Sequence, residues 1–236
     1  MDWENVTLCK LALASTMYDS LTPFNRSLAR LKEDTGGSVD LSNSQHRTPL
    51  LRWLNDWGCR HLPADQHEVA SVSISKWYQA EGAGLFPEKR PIWDVTDREL
   101  EVAVGAYGSL KDSTGAWRER VGAKLEVRIG PTAASKILFA MRTEALMPWD
   151  EAMRVTFKCD GGPASYRRFL EEVRDLTYHI ERLCRDNGFG IDDLPKHVDR
   201  PDSTVLELVN HYIWIAVTRK CELPSSQTLA RWAALG

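Results

Sequence analysis

Leu125-Glu-Val-Arg-Ile-Gly-Pro-Thr-Ala-Ala-Ser-Lys-Ile-Leu138 is the stretch that decides the fold. A helix should begin just after Gly130. Pro131 suits a first helical turn, because its φ is already set and its missing N–H would have had no partner there. Ala133, Ala134, Ile137 and Leu138 then propagate the helix. The run before Gly130 is short and ends in that glycine. Helix, tight turn and helix is therefore the expected outline, with the hairpin over about residues 118–141. Such a turn exposes backbone N–H groups at a helix N-terminus, where a phosphate binds without regard to base sequence. Thr132 can add a hydroxyl contact, and Arg128, Lys124 and Lys136 supply local positive charge.

Leu146-Met-Pro-Trp-Asp-Glu-Ala-Met153 follows. Pro148 breaks the chain, and Asp150 sits where a new helix would start. A carboxylate in that position accepts backbone N–H bonds, which keep it ionised and fix its direction.

Outward from this centre the pattern is helical. Tyr166, Phe169, Leu170, Val173, Leu176, Ile180, Leu183 and Cys184 recur at spacings of three and four, with Pro163 opening the run and Asn187-Gly188 closing it. Leu206, Val209, Ile213 and Val217 mark another helix behind a Thr204/Glu207 capping box. Thr96 and Glu99 make a second box, and Asp65 and Glu68 a weaker one. Further helices fit residues 50–57 and 133–141. Nowhere does a clean alternation end in a hairpin dipeptide, so no substantial sheet is expected. The predicted fold is all-α, a single domain over residues 1–236, arranged as two helical lobes around a cleft.

The chain has 236 residues, with 43% hydrophobic and 27% charged, enough apolar material for a core without disulfides. Its formal net charge of −3 excludes a general attraction to polyanions. The charge is unevenly placed, however. Between Lys111 and Arg142 there are seven basic and three acidic residues. The five cysteines form no C-x-x-C pair, which fits reduced thiols in a cytoplasmic protein. The histidines show no metal-ligand spacing, and no apolar run is long enough to span a bilayer. Neither a metal nor another cofactor is expected, nor a membrane. Most of the nine tryptophans belong in a core. Trp93 and Trp149 flank expected loops and are the ones to consider for stacking on a displaced base.

Gly130-Pro-Thr-Ala-Ala-Ser135, a short helix and Pro148-Trp-Asp150 together resemble the helix-hairpin-helix DNA glycosylases of the endonuclease III-like group. The resemblance covers about 30 residues, and the separation of 18 residues between Thr132 and Asp150 matches the family's. Ala134-Ser-Lys-Ile-Leu-Phe139 with Met147-Pro-Trp-Asp150 is closest in wording to poorly characterised members. Arg200-Pro-Asp-Ser-Thr204 and Tyr212-Ile-Trp214 have a similar flavour. The resemblance implies a glycosylase-like helical fold acting as a monomer on double-stranded DNA. It gives Asp150 the catalytic part, stabilising an oxocarbenium-like sugar or orienting water, and gives Arg128, Gly130, Thr132, Lys136 and Lys124 to DNA. Three departures stand out. Val127-Arg-Ile-Gly130 replaces the family's Pro-Gly-x-Gly, so one close backbone approach to phosphate is lost. Thr132 occupies the place of the Schiff-base lysine, which implies base removal without cleavage of the abasic site. The four-cysteine iron–sulfur motif is absent.

Two function classes fit these residues. One is a monofunctional DNA N-glycosylase that flips and removes a damaged or modified base, in repair or in defence against foreign DNA. The other is a DNA-binding module on the same fold without catalysis. No motif names the base.

Overall fold

The computed structural model describes residues 3–235. Among these, α-helices dominate: α1 (Leu8–Leu21), α2 (Phe24–Asp34), α3 (Ser44–Asp56), α4 (His67–Ala80), α5 (Asp97–Asp112), α6 (Gly130–Met141), α7 (Glu151–Thr156), α8 (Pro163–Asp186), α9 (Leu194–His197), α10 (Val205–Ile213) and α11 (Ser226–Ala233). Apolar side chains from Val6 to Val217 join in one continuous core. No helix among the described residues is long and apolar enough to cross a membrane.

The sequence signals for helix ends operate as chemistry requires. Thr96 and Thr204 each accept from the backbone N–H three residues on, and Glu99 and Glu207 bond back to the cap. These reciprocal bonds satisfy donors that the helix itself leaves open. Pro163 starts α8, and Asn187 with Gly188 (φ +83°) ends it. The Asp65/Glu68 box does not form. Asp65 lies in a 3₁₀ turn (Ala64–Gln66), and α4 begins at His67 behind Gln66 with no side-chain cap.

Residues 114–128 depart most from the helical pattern. They form two antiparallel strands, β1 (Thr114–Arg120) and β2 (Ala123–Arg128), where a hairpin of helices was expected. Arg120 faces Ala123 across a two-residue turn in which Val121 (φ +51°) and Gly122 (φ +76°) both have positive φ. That geometry selects Asn-Gly or Asp-Gly, so Val-Gly gives no turn signal. The ribbon's base is closed by the Ile129 N–H donating to Ser113 O (2.9 Å). Helices α5 and α6 still pack on each other. Of the helical pair expected over 118–141 only the second member forms, as α6; strand occupies the place of the first, and α5 lies outside that range.

α6 begins at Gly130, whose φ of +76° suits a residue without a Cβ. α10 passes without a break into a π-helical turn (Trp214–Thr218). A π-helix bonds i to i+5, so this turn holds one residue more than an α-helical one.

His211 on α10 is 2% exposed, and its ring is stacked on Tyr18 with centroids 4.1 Å apart. Nδ1 meets Ser15 Oγ and Nε2 meets Asn25 Oδ1, each at 2.9 Å. Burial, with the nearby Arg200 charge as the lesser cause, pulls its pKa from 6.5 down to about 3. Folding thus holds the ring neutral, whereas an unfolded chain protonates it near its ordinary value. Stability from this group is complete above about pH 6.5 and falls with acidification toward pH 3. The loss is on the order of 1.4 kcal/mol per pH unit. Urea denaturation followed from neutral pH into that window should show this acid limb. His211→Gln should flatten it while lowering stability at neutral pH.

Candidate functional site

A cavity of about 490 Å³ opens between α6, the loop before α7, and the ends of α1, α3 and α10. Tyr18, Phe24, Trp57 and Trp214 form an aromatic cluster on its wall. Ring centroids are 5.1 Å apart for Tyr18–Trp214, 5.5 Å for Phe24–Trp57 and 6.0 Å for Phe24–Trp214. Trp57 is anchored through Nε1, which donates to Ser27 Oγ (3.0 Å) and Phe24 O (3.2 Å). The Tyr18 hydroxyl bonds the Asn210 side chain, and burial holds its pKa far up, so it remains a phenol.

Asp150 lines this cavity. It caps α7 through Oδ1, which accepts from Met153 N (2.8 Å), and Oδ2 accepts from the Thr218 hydroxyl (2.7 Å). The expected N-cap role is therefore real. Two bonds leave a carboxylate with lone pairs to spare, since it can accept about four. Thr218 reaches it from the end of the π-helical turn.

The loop carrying Asp150 is bound to the first turns of α6. Ser135 Oγ donates to Thr132 O (3.0 Å) and accepts from Trp149 N (3.2 Å). Trp149 Nε1 donates to Pro131 O (3.2 Å), and the Tyr166 hydroxyl donates to Met147 O (3.0 Å). Gly130, Pro131 and Thr132 consequently line the same cavity as Asp150. No side chain caps the N-terminus of α6, so its first N–H groups remain unclaimed by any cap. His61 Nε2 donates to Ile129 O (2.8 Å) and steadies the chain just before that terminus.

The two cations expected at the hairpin have different fates. Arg128 stands at the cavity rim with a side chain 61% exposed, paired to Asp112 at 2.9 Å. Lys136 does not reach the surface. It is 8% exposed, its Nζ donates to Trp57 O, and the ammonium lies 5.7 Å from the Trp57 ring centroid. Burial lowers its pKa, against the opposing influence of Cys59 and Asp150. Lys136 accordingly faces the cavity from a buried position. Lys124 lies out on β2, its Nζ 4.9 Å from the Trp117 ring centroid.

The two expected tryptophans lie apart. Trp149 lines the cavity, though it is 1% exposed and packs among Tyr107, Tyr166 and Phe169. Trp93 borders a different and smaller cavity with Glu144 and Asp192. Trp57 and Trp214 line the same cavity as Trp149. Trp214 falls within one of the stretches that carried the family resemblance. Trp57 lies at the end of α3, and no signal along the chain singles it out.

Neither protein-family models, nor curated proteins, nor solved structures provide a match to this chain.

Proposed function

We propose that this protein is a monofunctional DNA N-glycosylase-like enzyme that accepts a flipped base in the aromatic cavity. Asp150 stabilises the cationic sugar as the base leaves, or orients the attacking water. One observation carries the reading. A carboxylate fixed by two hydrogen bonds shares a cavity with the uncapped N-terminus of a helix. The carboxylate suits a developing positive charge on the sugar, and the helix terminus suits the adjoining phosphate. A volume of about 490 Å³ lies within the range for small-molecule sites, roughly 300–1,000 Å³. The aromatic wall suits a planar base taken out of the stack. Asn210, 4% exposed, supplies an amide with both donor and acceptor atoms at the cavity lining.

The Asp150 position also weighs against a pure binding module, since an acid beside phosphates adds nothing to affinity. Asp150→Asn should lower turnover on a duplex with a releasable base by about 10²-fold or more. Duplex affinity should persist, because Asn still caps α7. Full activity in this variant would remove Asp150 from the chemistry and leave the binding module.

A second reading of the chemistry is favoured by Lys136. Burial lowers its pKa, which favours the neutral, nucleophilic amine. Such an amine can condense with the aldehyde of an opened abasic sugar, releasing water and forming an imine. Borohydride separates the two readings. With hydrolysis alone no covalent adduct is trapped. An adduct that disappears in Lys136→Met assigns imine chemistry to that residue.

The cations can be told apart by salt. Arg128→Ala should weaken duplex binding and lower the slope of log affinity against log salt by about 1. Lys136→Ala should leave that slope unchanged and instead lower stability by about 2 kcal/mol or more. Equal slopes for wild type and Arg128→Ala would exclude Arg128 as a phosphate contact.

A further inference from the structure

The β1–β2 ribbon has a design that the core does not explain. All ten residues from Trp117 to Glu126 are exposed, so neither face of its outer half rests on the body. A two-stranded ribbon without an apolar face to bury is marginal in water. This one is held at its root. Gln66 accepts from Trp117 N (2.6 Å) and donates to Trp117 O (2.9 Å), while Ala116 and Ile129 are buried beneath.

The ribbon's two faces differ in charge. Residues directly opposite each other share a face, and the register pairs Arg118 with Leu125 and Arg120 with Ala123. That face carries two arginines beside apolar neighbours and no acid. The other face pairs Trp117 with Glu126 and Glu119 with Lys124, and carries two acids against one lysine. Arg118 and Arg120 make no ion pair and no side-chain hydrogen bond with the described residues. At the tip, Val121 is fully exposed at φ +51°. A β-branched residue at positive φ is a backbone outlier, and Asn would suit the turn better.

The ribbon also adjoins the cavity. Arg128, at the end of β2, lines the cavity rim. His61 lines both that cavity and a cleft between Arg60 and the inner part of the ribbon, where Arg118 also lies together with Asp65 and Glu119. Chain entering along the Arg118 face would thus arrive at the cavity mouth.

From these features we infer that the ribbon is an arm that enters the major groove of duplex DNA, with Arg118 and Arg120 on phosphates and Val121 against the base pairs. A two-stranded ribbon fits a groove about 12 Å wide. An acid-free face of unpaired arginines is complementary to two phosphate rows. An apolar tip meets thymine methyl groups and base edges without asking for a hydrogen bond. The arm holds the duplex in register while the cavity takes the displaced nucleotide.

The inference rests on the proposed action on duplex DNA, and its test keeps the two separable. Affinity of the full chain for a fluorescein-labelled duplex is measured from roughly 50 to 200 mM salt, with phosphatidylserine vesicles as a second anionic target. Arg118→Ser with Arg120→Ser should weaken duplex binding on the order of 10-fold and lower the salt slope by about 2. Val121→Asn should weaken binding severalfold while leaving the melting temperature equal or higher, because Asn relieves the turn. Asp150→Asn should bind as wild type. If wild type binds duplex and the ribbon variants bind equally well, the arm is excluded and the cavity reading stands. If the ribbon variants fail while Asp150→Asn keeps full activity, the arm stands and the catalytic role falls. A wild type that binds no duplex overturns both. Loss of vesicle binding with duplex binding intact assigns the arm to a membrane surface and overturns it for DNA.

Discussion

The hydroxyl of Ser135 is the point on which the geometry of the site depends. It donates to Thr132 O within its own helix and accepts the N–H of Trp149 from the loop opposite. Through that one buried atom, the first turns of α6 and the approach to α7 are held in a single relation. The Trp149 indole repeats the connection from the other side by donating to Pro131 O. Polar atoms with partners on both sides cost little when buried, and a great deal when one partner is lost. Ala in place of Ser135 would leave the Trp149 N–H without its partner. The 17 residues between Thr132 and Asp150 are thus a helix, a return and a stitch.

Burial sorts the charges of the site into two kinds. Arg128 stays wet, and its pairing with Asp112 is of the surface sort that adds little to stability. Lys136 is held among Trp57, Cys59 and Asp150, where each interaction is stronger because water is scarce. An acid, an amine and a rim of aromatic rings within one cavity make its interior polar at a few points and apolar elsewhere. That is the usual composition of a site that orients a ligand rather than merely enclosing it.

Much of the helical framework was legible along the chain. Thr96, Thr204, Pro163 and Gly188 act locally, so their meaning does not depend on distant partners. Asp150 was legible for the same reason, as a cap beyond a proline. The ribbon was not, because Val121-Gly122 is a poor advertisement for the turn it makes and because the outer half of its strands buries nothing to impose alternation. Lys136 followed the charge count to the surface, whereas the chain turns it inward beneath Trp57, a partner 79 residues away. Trp57, Trp214, Asn210 and Thr218 meet Asp150 and α6 only in three dimensions. No local pattern reports such convergence.

The π-helical turn at Trp214–Thr218 sets a condition on chain length as well as on residue identity. Relative to an ordinary helix it holds one additional residue. Deleting any single residue there would let α10 continue as a regular helix, and everything beyond would rotate by about 100°. Thr218 would leave the Asp150 carboxylate even though every neighbouring side chain was retained. The hydrogen bond behind the acid is therefore encoded by counting. A one-residue loss would be enough to undo it.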